Sequence, residues 1–170
     1  SEQLKEYINK LLTYYSSDNL IASKTRFPLA DLISEINQIV NANNEAEIVT
    51  DFDENLEIIT DRTAISQILI NIISNGIKYN TTDKPIIKIT NNIVNLKSNI
   101  SISDNGIGID TQNFEAIFQN NKTLSKKDRY GNYGTGLGLS IVKNLTQKIN
   151  FDIKVTSEIG KGSIFTLMEK

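Results

Sequence analysis

The stretch "YGNYGTGLGLSIVKNL", residues 130–145, places Gly131, Gly134, Gly136 and Gly138 within nine positions and then runs into an amphipathic helix. Glycine in a helix interior costs about 1 kcal/mol relative to alanine. A helix that opens so richly in it needs its backbone close to something. The free N–H groups of a helix N-terminus and the positive end of its dipole suit an anion, with phosphate first among them. The same composition would serve a flexible loop that merely precedes a helix. The spacing Gly134-x-Gly136-x-Gly138 departs from a dinucleotide fingerprint, and no Gly-x-x-x-x-Gly-Lys-Ser/Thr run occurs.

Three further stretches could carry chemistry. In "ISQILINIISNGIKYN", residues 65–80, a helical period puts Ile65, Ile68, Leu69, Ile72, Ile73, Gly76 and Ile77 on one face. Asn71, Asn75 and Lys78 form a polar stripe along its border, Asn75 nearest the apolar edge. A carboxamide oxygen is a hard ligand suited to Mg²⁺, which takes few protein ligands and completes its shell with water and phosphate. Lys78 can supply a point charge for phosphate. The solvated side of an asparagine-rich helix would give the same pattern, and the chain holds 21 asparagines. In "SDNGIGID", residues 103–110, Gly106 and Gly108 allow positive φ and close backbone approach, while Asp104 can accept a hydrogen bond from an exocyclic amine. A hairpin turn is the competing reading, although Ile107 and Ile109 are better suited to a pocket wall. "GKGSIF", residues 160–165, reads as a tight turn into a strand. Lys126, Lys127 and Arg129 form a small basic group beside the glycine-rich loop.

These residues need elements to position them. Leu4, Tyr7, Ile8, Leu11, Leu12 and Tyr15 recur at helical spacing, and the polar residues 16–25 read as a connector. A second helix follows Pro28, with Leu29, Leu32, Ile33, Ile36 and Val40 on one face. Short strands are expected at 47–52 and 56–60 around a polar turn, then a long helix from Asp61 to about Tyr79. Strands at 86–94 and 99–103, a short helical piece near Phe114–Phe118, a helix over 137–149 and strands at 152–156 and 163–168 complete the reading. Residues 119–133 are polar and without apolar periodicity, as expected of a mobile lid. The irregular alternation of strands and helices predicts an α+β sandwich with helices on one face of the sheet.

Composition narrows the chemistry. The 170 residues suffice for one domain with a sizeable core, and 39 % hydrophobic with 22 % charged residues is ordinary for a soluble fold. There is neither cysteine nor histidine, which removes disulfides, thiolate chemistry, the common zinc sites and histidine acid–base catalysis. A net charge of −2 without a long basic run gives a nucleic-acid partner no electrostatic support. No apolar run has the length of a membrane span and no signal peptide opens the chain, so a cytoplasmic location is the default expectation. A chain that begins at Ser1 reads as a fragment, with room for membrane parts of the full protein upstream.

In their order, "NIISNGIKY", "DNGIGI", "FEAIF", "GTGLGLSIV" and "GKGSIF" resemble the catalytic, ATP-binding domain of bacterial two-component sensor histidine kinases. The resemblance covers nearly the whole chain. It implies a two-layer α/β sandwich, the Bergerat fold shared with DNA gyrase, mismatch-repair ATPases and heat-shock chaperones, with a mixed sheet, helices on one face and a mobile ATP lid. It implies ATP and Mg²⁺ as ligands. Asn75 would coordinate the metal, Asn71 and Lys78 would lie near the phosphates as the catalytic pair, and Tyr79 would lie beside the nucleotide. Asp104 would accept the adenine amine, with Gly106 and Gly108 letting the base approach. Gly134, Thr135, Gly136, Leu137 and Gly138 would hold the phosphates.

Relatives that hydrolyse ATP usually carry a glutamate four residues before the metal-binding asparagine, where this chain has Asn71, so the resemblance favours phosphoryl transfer over hydrolysis. In the lid, "FEAIFQNNKT" lacks the second aromatic and basic residue often found in the family, and Arg129 or Lys126 would substitute. Residues 1–28 resemble the end of a dimerisation helix and its linker, and residues 29–170 the catalytic domain. The implied partners are an upstream dimerisation domain bearing the phosphoacceptor histidine and a response regulator, in a homodimeric and membrane-anchored full-length protein. A nucleotide-binding regulatory module without kinase output, or a related ATPase, is the alternative.

Overall fold

Period-two alternation along residues 86–104 and 151–169 gives a sheet with one apolar face. Ile87, Ile89, Ile100, Ile102, Val155, Phe165 and Leu167 are buried, and their neighbours turn the other way. Each such side chain contributes about 1.5–3 kcal/mol when fully withdrawn from water. The computed structural model describes Asn9 and residues 22–170. The helix expected at Leu4–Tyr15 lies outside the described residues apart from Asn9.

The described elements are β1 (Lys24–Pro28), α1 (Leu29–Val40), β2 (Glu47–Asp51), β3 (Glu57–Asp61), α2 (Arg62–Lys78), β4 (Ile86–Val94), β5 (Lys97–Asp104), two single 3₁₀ turns (Thr111–Asn113 and Ala116–Phe118), α3 (Gly138–Lys148), β6 (Phe151–Glu158) and β7 (Gly162–Glu169). A five-stranded sheet runs β2-β4-β5-β7-β6, and only β2 is parallel to its neighbour. This is the mixed sheet expected of the α+β sandwich. Helix α2 lies over β4 and β5 and packs against α1 on one side and α3 on the other. That central place explains why its predicted apolar set, from Ile65 to Ile77, is buried throughout. No helix among the described residues is long and apolar enough to cross a membrane.

One expectation about strands is corrected. Lys24–Pro28, read as connector and linker, is a strand antiparallel to β3, with Lys24 opposite Asp61 and Pro28 opposite Glu57. Only Phe27 of its five residues is apolar and buried, with the Arg62 guanidinium 5.3 Å from its ring centre. One apolar residue shows no period. The neighbouring strands β2 and β3 fall in different sheets, because β2 pairs with β4, across a connection long enough for a parallel crossover.

Helix α2 starts where its carboxylate cap requires. Asp61 Oδ1 accepts the Ala64 N–H at 2.8 Å, and Asp61 Oδ2 accepts the Ser23 N–H at 2.8 Å. Asp61→Ala should therefore lower the unfolding free energy by about 1–2 kcal/mol, with Asp61→Asn retaining most of it, as measured by urea denaturation. An alanine variant with wild-type stability would show that α2 does not depend on this cap.

Candidate functional site

Helix α3 begins without a side-chain cap, because the residue before it is the buried Leu137, whose side chain makes no capping hydrogen bond. Its first N–H groups are thus left for something other than the helix's own side chains. Gly138 lies close against the polar edge of α2. A Cβ there would stand 3.1 Å from Asn71 Oδ1 and 3.8 Å from Asn75 Nδ2. Gly134 presses against the Tyr79 hydroxyl, which a Cβ would strike. Gly136 has φ +70°, and its Cβ would meet the backbone of Asn121 and Lys122 at 2.7–2.9 Å. Its carbonyl accepts the Asn121 N–H at 3.1 Å, which ties the glycine loop to the start of the lid. A cavity of about 330 Å³ opens beside this loop, lined by Gly134, Thr135, Gly136 and Gly138 from the loop and by Asn75 and Lys78 from α2.

The same cavity reaches the end of β5. There Asp104 Oδ1 accepts the N–H groups of Gly106 at 2.8 Å and Ser163 at 3.3 Å. Its Oδ2 makes no hydrogen bond among the described residues. Burial raises the Asp104 carboxyl above the ordinary carboxylate range, and the two backbone donors hold the rise back. Gly76 brings α2 down onto this point, since a Cβ on it would lie 2.7 Å from Ile87 Cδ1 and 3.0 Å from Asp104 Cβ. Ile107 and Ile109 line the cavity, as their bulk suggested.

The glycines of "SDNGIGID" serve the protein itself. A Cβ on Gly106 would lie 2.5 Å from the Tyr79 carbonyl, and Gly108, at φ +73°, sits against the Glu158 carbonyl. Protein backbone occupies the side of these glycines on which a Cβ would stand, and Gly108 also lines the cavity.

Most of the expected site residues meet here. Asn75, Lys78, Tyr79, Asp104, Gly108, Gly134, Thr135, Gly136 and Gly138 all line the cavity, while Asn71, Gly106, Arg129 and Leu137 do not. Asn71 is buried beneath Gly138, and its Nδ2 donates to the Gln67 carbonyl at 2.9 Å. The Arg129 N–H donates to the Lys78 carbonyl at 2.8 Å, and its Nη1 is buried without a hydrogen bond.

The lid contributes Lys122, Thr123 and Lys126 to the cavity, so cations are present where the sequence departed from the family pattern. Tyr130 also lines it, and its hydroxyl donates to the Glu45 carboxylate. Burial and that bond push the Tyr130 hydroxyl up to about 12. Gly76, Ile117, Tyr130 and Tyr133 were missed by sequence reasoning. Lone tyrosines in a polar stretch carry no local signal, whereas the single glycine inside a helix of isoleucines was one.

Among the described residues no group of three His, Cys, Asp or Glu side chains could hold a metal ion. The carboxamide of Asn75 on the cavity wall nevertheless fits Mg²⁺, which needs few protein ligands when phosphate and water supply the rest.

The comparisons with known proteins agree with this geometry. The chain is 33 % identical over 191 residues to the sensor-like histidine kinase ycf26 of Pyropia yezoensis, covering 97 % of this chain and 28 % of that protein. It is 31 % identical over 183 residues to the autoinducer 2 sensor kinase/phosphatase LuxQ of Vibrio parahaemolyticus, covering 98 % of this chain and 21 % of that one. The catalytic domain of the histidine kinase ThkA, in a nucleotide-free form, superposes with a TM-score of 0.71 at 27 % identity, over 86 % of this chain and 95 % of that one. Residues 60–169 match the model of the histidine kinase-, DNA gyrase B- and HSP90-like ATPases. An uncapped helix start, a carboxylate at the far side of one cavity and this match lead to one conclusion: the chain belongs to the histidine kinase-, DNA gyrase B- and HSP90-like ATPase family, and carries its ATP-binding domain.

Proposed function

We propose that this chain is the catalytic part of a sensor histidine kinase, transferring the γ-phosphoryl group of ATP to a histidine outside residues 1–170. One observation carries the reading. A single cavity joins the uncapped start of α3 and three lysines, Lys78, Lys122 and Lys126, to the carboxylate of Asp104. That polarity matches an adenine nucleotide, whose phosphates seek N–H donors and cations and whose amine seeks an acceptor. Helix α2 spans the two ends, touching Gly138 through Asn71 and Asn75 and the Gly106 loop through the Tyr79 carbonyl.

In the transfer the bond from the γ-phosphorus to its bridging oxygen breaks, a bond to the acceptor imidazole nitrogen forms, and ADP leaves. The chain's part is positioning and charge neutralisation, which dominate such reactions. The amides of residues 134–138 and the lid lysines would face the phosphates. Asn75 would hold Mg²⁺, which supplies charge neutralisation when bound. Asn71 has no basic atom with which to activate water, and its amide is engaged by Gln67. Transfer to a docked nucleophile is therefore favoured over hydrolysis.

The chain spans 28 % and 21 % of the lengths of the two kinases compared above, so the rest of the machinery lies outside it. We place the end of a dimerisation helix and a linker in residues 1–28, with Lys24–Pro28 folded onto the domain as β1. The partners would be the histidine-bearing dimerisation domain of a homodimeric, membrane-anchored protein and a response regulator, with this domain in the cytoplasm.

Two outcomes test the proposal. Asn75→Ala should abolish the Mg²⁺-dependent part of ATP binding while leaving the melting temperature nearly unchanged, as read by calorimetric titration with and without Mg²⁺. Unaltered Mg²⁺ dependence would remove Asn75 as the metal ligand. With radiolabelled ATP, the chain alone should stay unlabelled. Adding a separate dimerisation fragment should give acid-labile label on that fragment only when its histidine is present. Nucleotide binding without label in any mixture would favour the regulatory-module alternative.

A further inference from the structure

Ser157 lies on β6 and does not line the cavity, yet its hydroxyl is a junction. Its Oγ lies 2.7 Å from the Gly162 carbonyl oxygen, which can only accept, so the one hydroxyl proton of Ser157 goes there. The Ile109 N–H donates to the same Oγ at 2.8 Å. Ser163 Oγ stands 3.0 Å away, and since Ser157 has no second proton to give, Ser163 must be the donor in that pair. All three hydrogen-bonding valences of the Ser157 hydroxyl are then filled inside the fold.

The consequence falls on Ser163, which is buried and lines the cavity beside Asp104. Its backbone N–H is directed to Asp104 Oδ1 and its hydroxyl proton to Ser157. Only lone pairs remain on its Oγ. Asp104 Oδ2 likewise offers only lone pairs. The subsite therefore presents acceptors to whatever base enters it.

We infer that Ser157 is a positioning residue for base recognition: by committing the Ser163 proton and anchoring the Ile109 N–H, it makes this end of the cavity a receptor for a base edge that brings N–H donors and a poor one for a carbonyl. The inference rests on the adenine-nucleotide reading above and extends it to a residue that touches no ligand. Ser157→Ala frees the Ser163 hydroxyl to rotate and donate, and releases the loop at Ile109.

The test compares Mg²⁺-ATP with Mg²⁺-inosine triphosphate, which carries a carbonyl in place of the amine and an N–H in place of the neighbouring bare ring nitrogen, by calorimetric titration of the whole chain. Ser157→Ala should weaken ATP binding about five- to tenfold and lower the ATP-to-inosine-triphosphate preference by a similar factor, with Ser157→Thr restoring both. A purely structural role would weaken both nucleotides equally, and an unchanged ratio in Ser157→Ala overturns the inference. If Ser157→Ala does not fold, Ser163→Ala carries the test, because losing the oriented acceptor must lower the same ratio. A wild-type ratio there overturns the inference as well. Equal affinity of the wild-type chain for the two nucleotides would instead contradict the adenine reading itself.

Discussion

The rest of the site depends on the contact at which Gly138 of α3 lies against Asn71 and Asn75 of α2. A Cβ at position 138 would stand 3.1 Å from Asn71 Oδ1, so the Asn71 amide would have to give by a few tenths of an ångström. With glycine there, an uncapped helix start is fixed beside the polar edge of the most buried helix in the fold. The same helix, one turn further on, receives the loop after β5 through the Tyr79 carbonyl and approaches Asp104 through Gly76. Donors for an anion and an acceptor for a base are thus referred to one rigid rod, about 1.5 Å of rise per residue. Neither end can shift without repacking the core around Ile68, Leu69, Ile72 and Ile73.

Around this axis the glycines do work that is mostly internal. Gly106, Gly108 and Gly134 each admit a specific protein atom, the carbonyls of Tyr79 and Glu158 and the hydroxyl of Tyr79. The glycine-rich stretches draw backbone together so that side chains such as Asp104 and Asn75 face a common space. The turn at residues 158–162 belongs to the same construction. Gly160 donates to the Ile107 carbonyl at 2.9 Å, and Gly162, at φ +99°, leaves room only for the Asp104 carbonyl. The turn is a clamp on the loop that carries Asp104.

Much of this was legible in the sequence because it rests on period and residue type. The apolar face of α2 recurs at 3.6 residues, strands β4 to β7 alternate at two, and Asp61 stands where a cap belongs. Strand β1 was illegible because its pairing partner β3 is far along the chain, beyond α1 and β2, and Phe27 alone marks its buried side. The place of Arg129 outside the cavity lining was equally hidden, because its backbone bond to the Lys78 carbonyl is a tertiary contact with no local signal. Asn71 had the right type and spacing for the polar stripe. Burial under α3 moved it from the cavity wall to the helix contact, and no helical wheel contains the helix that covers it.

The central claim is that one cavity orients an adenine nucleotide, base toward Asp104 and phosphates toward residues 134–138. A crystal structure of the chain with Mg²⁺ and a slowly hydrolysed ATP analogue tests it most directly. The account predicts the exocyclic amine within hydrogen-bonding distance of Asp104 Oδ2, with the phosphates at the N–H groups that open α3. A nucleotide bound in the reverse sense, or away from α2 and α3, would contradict it.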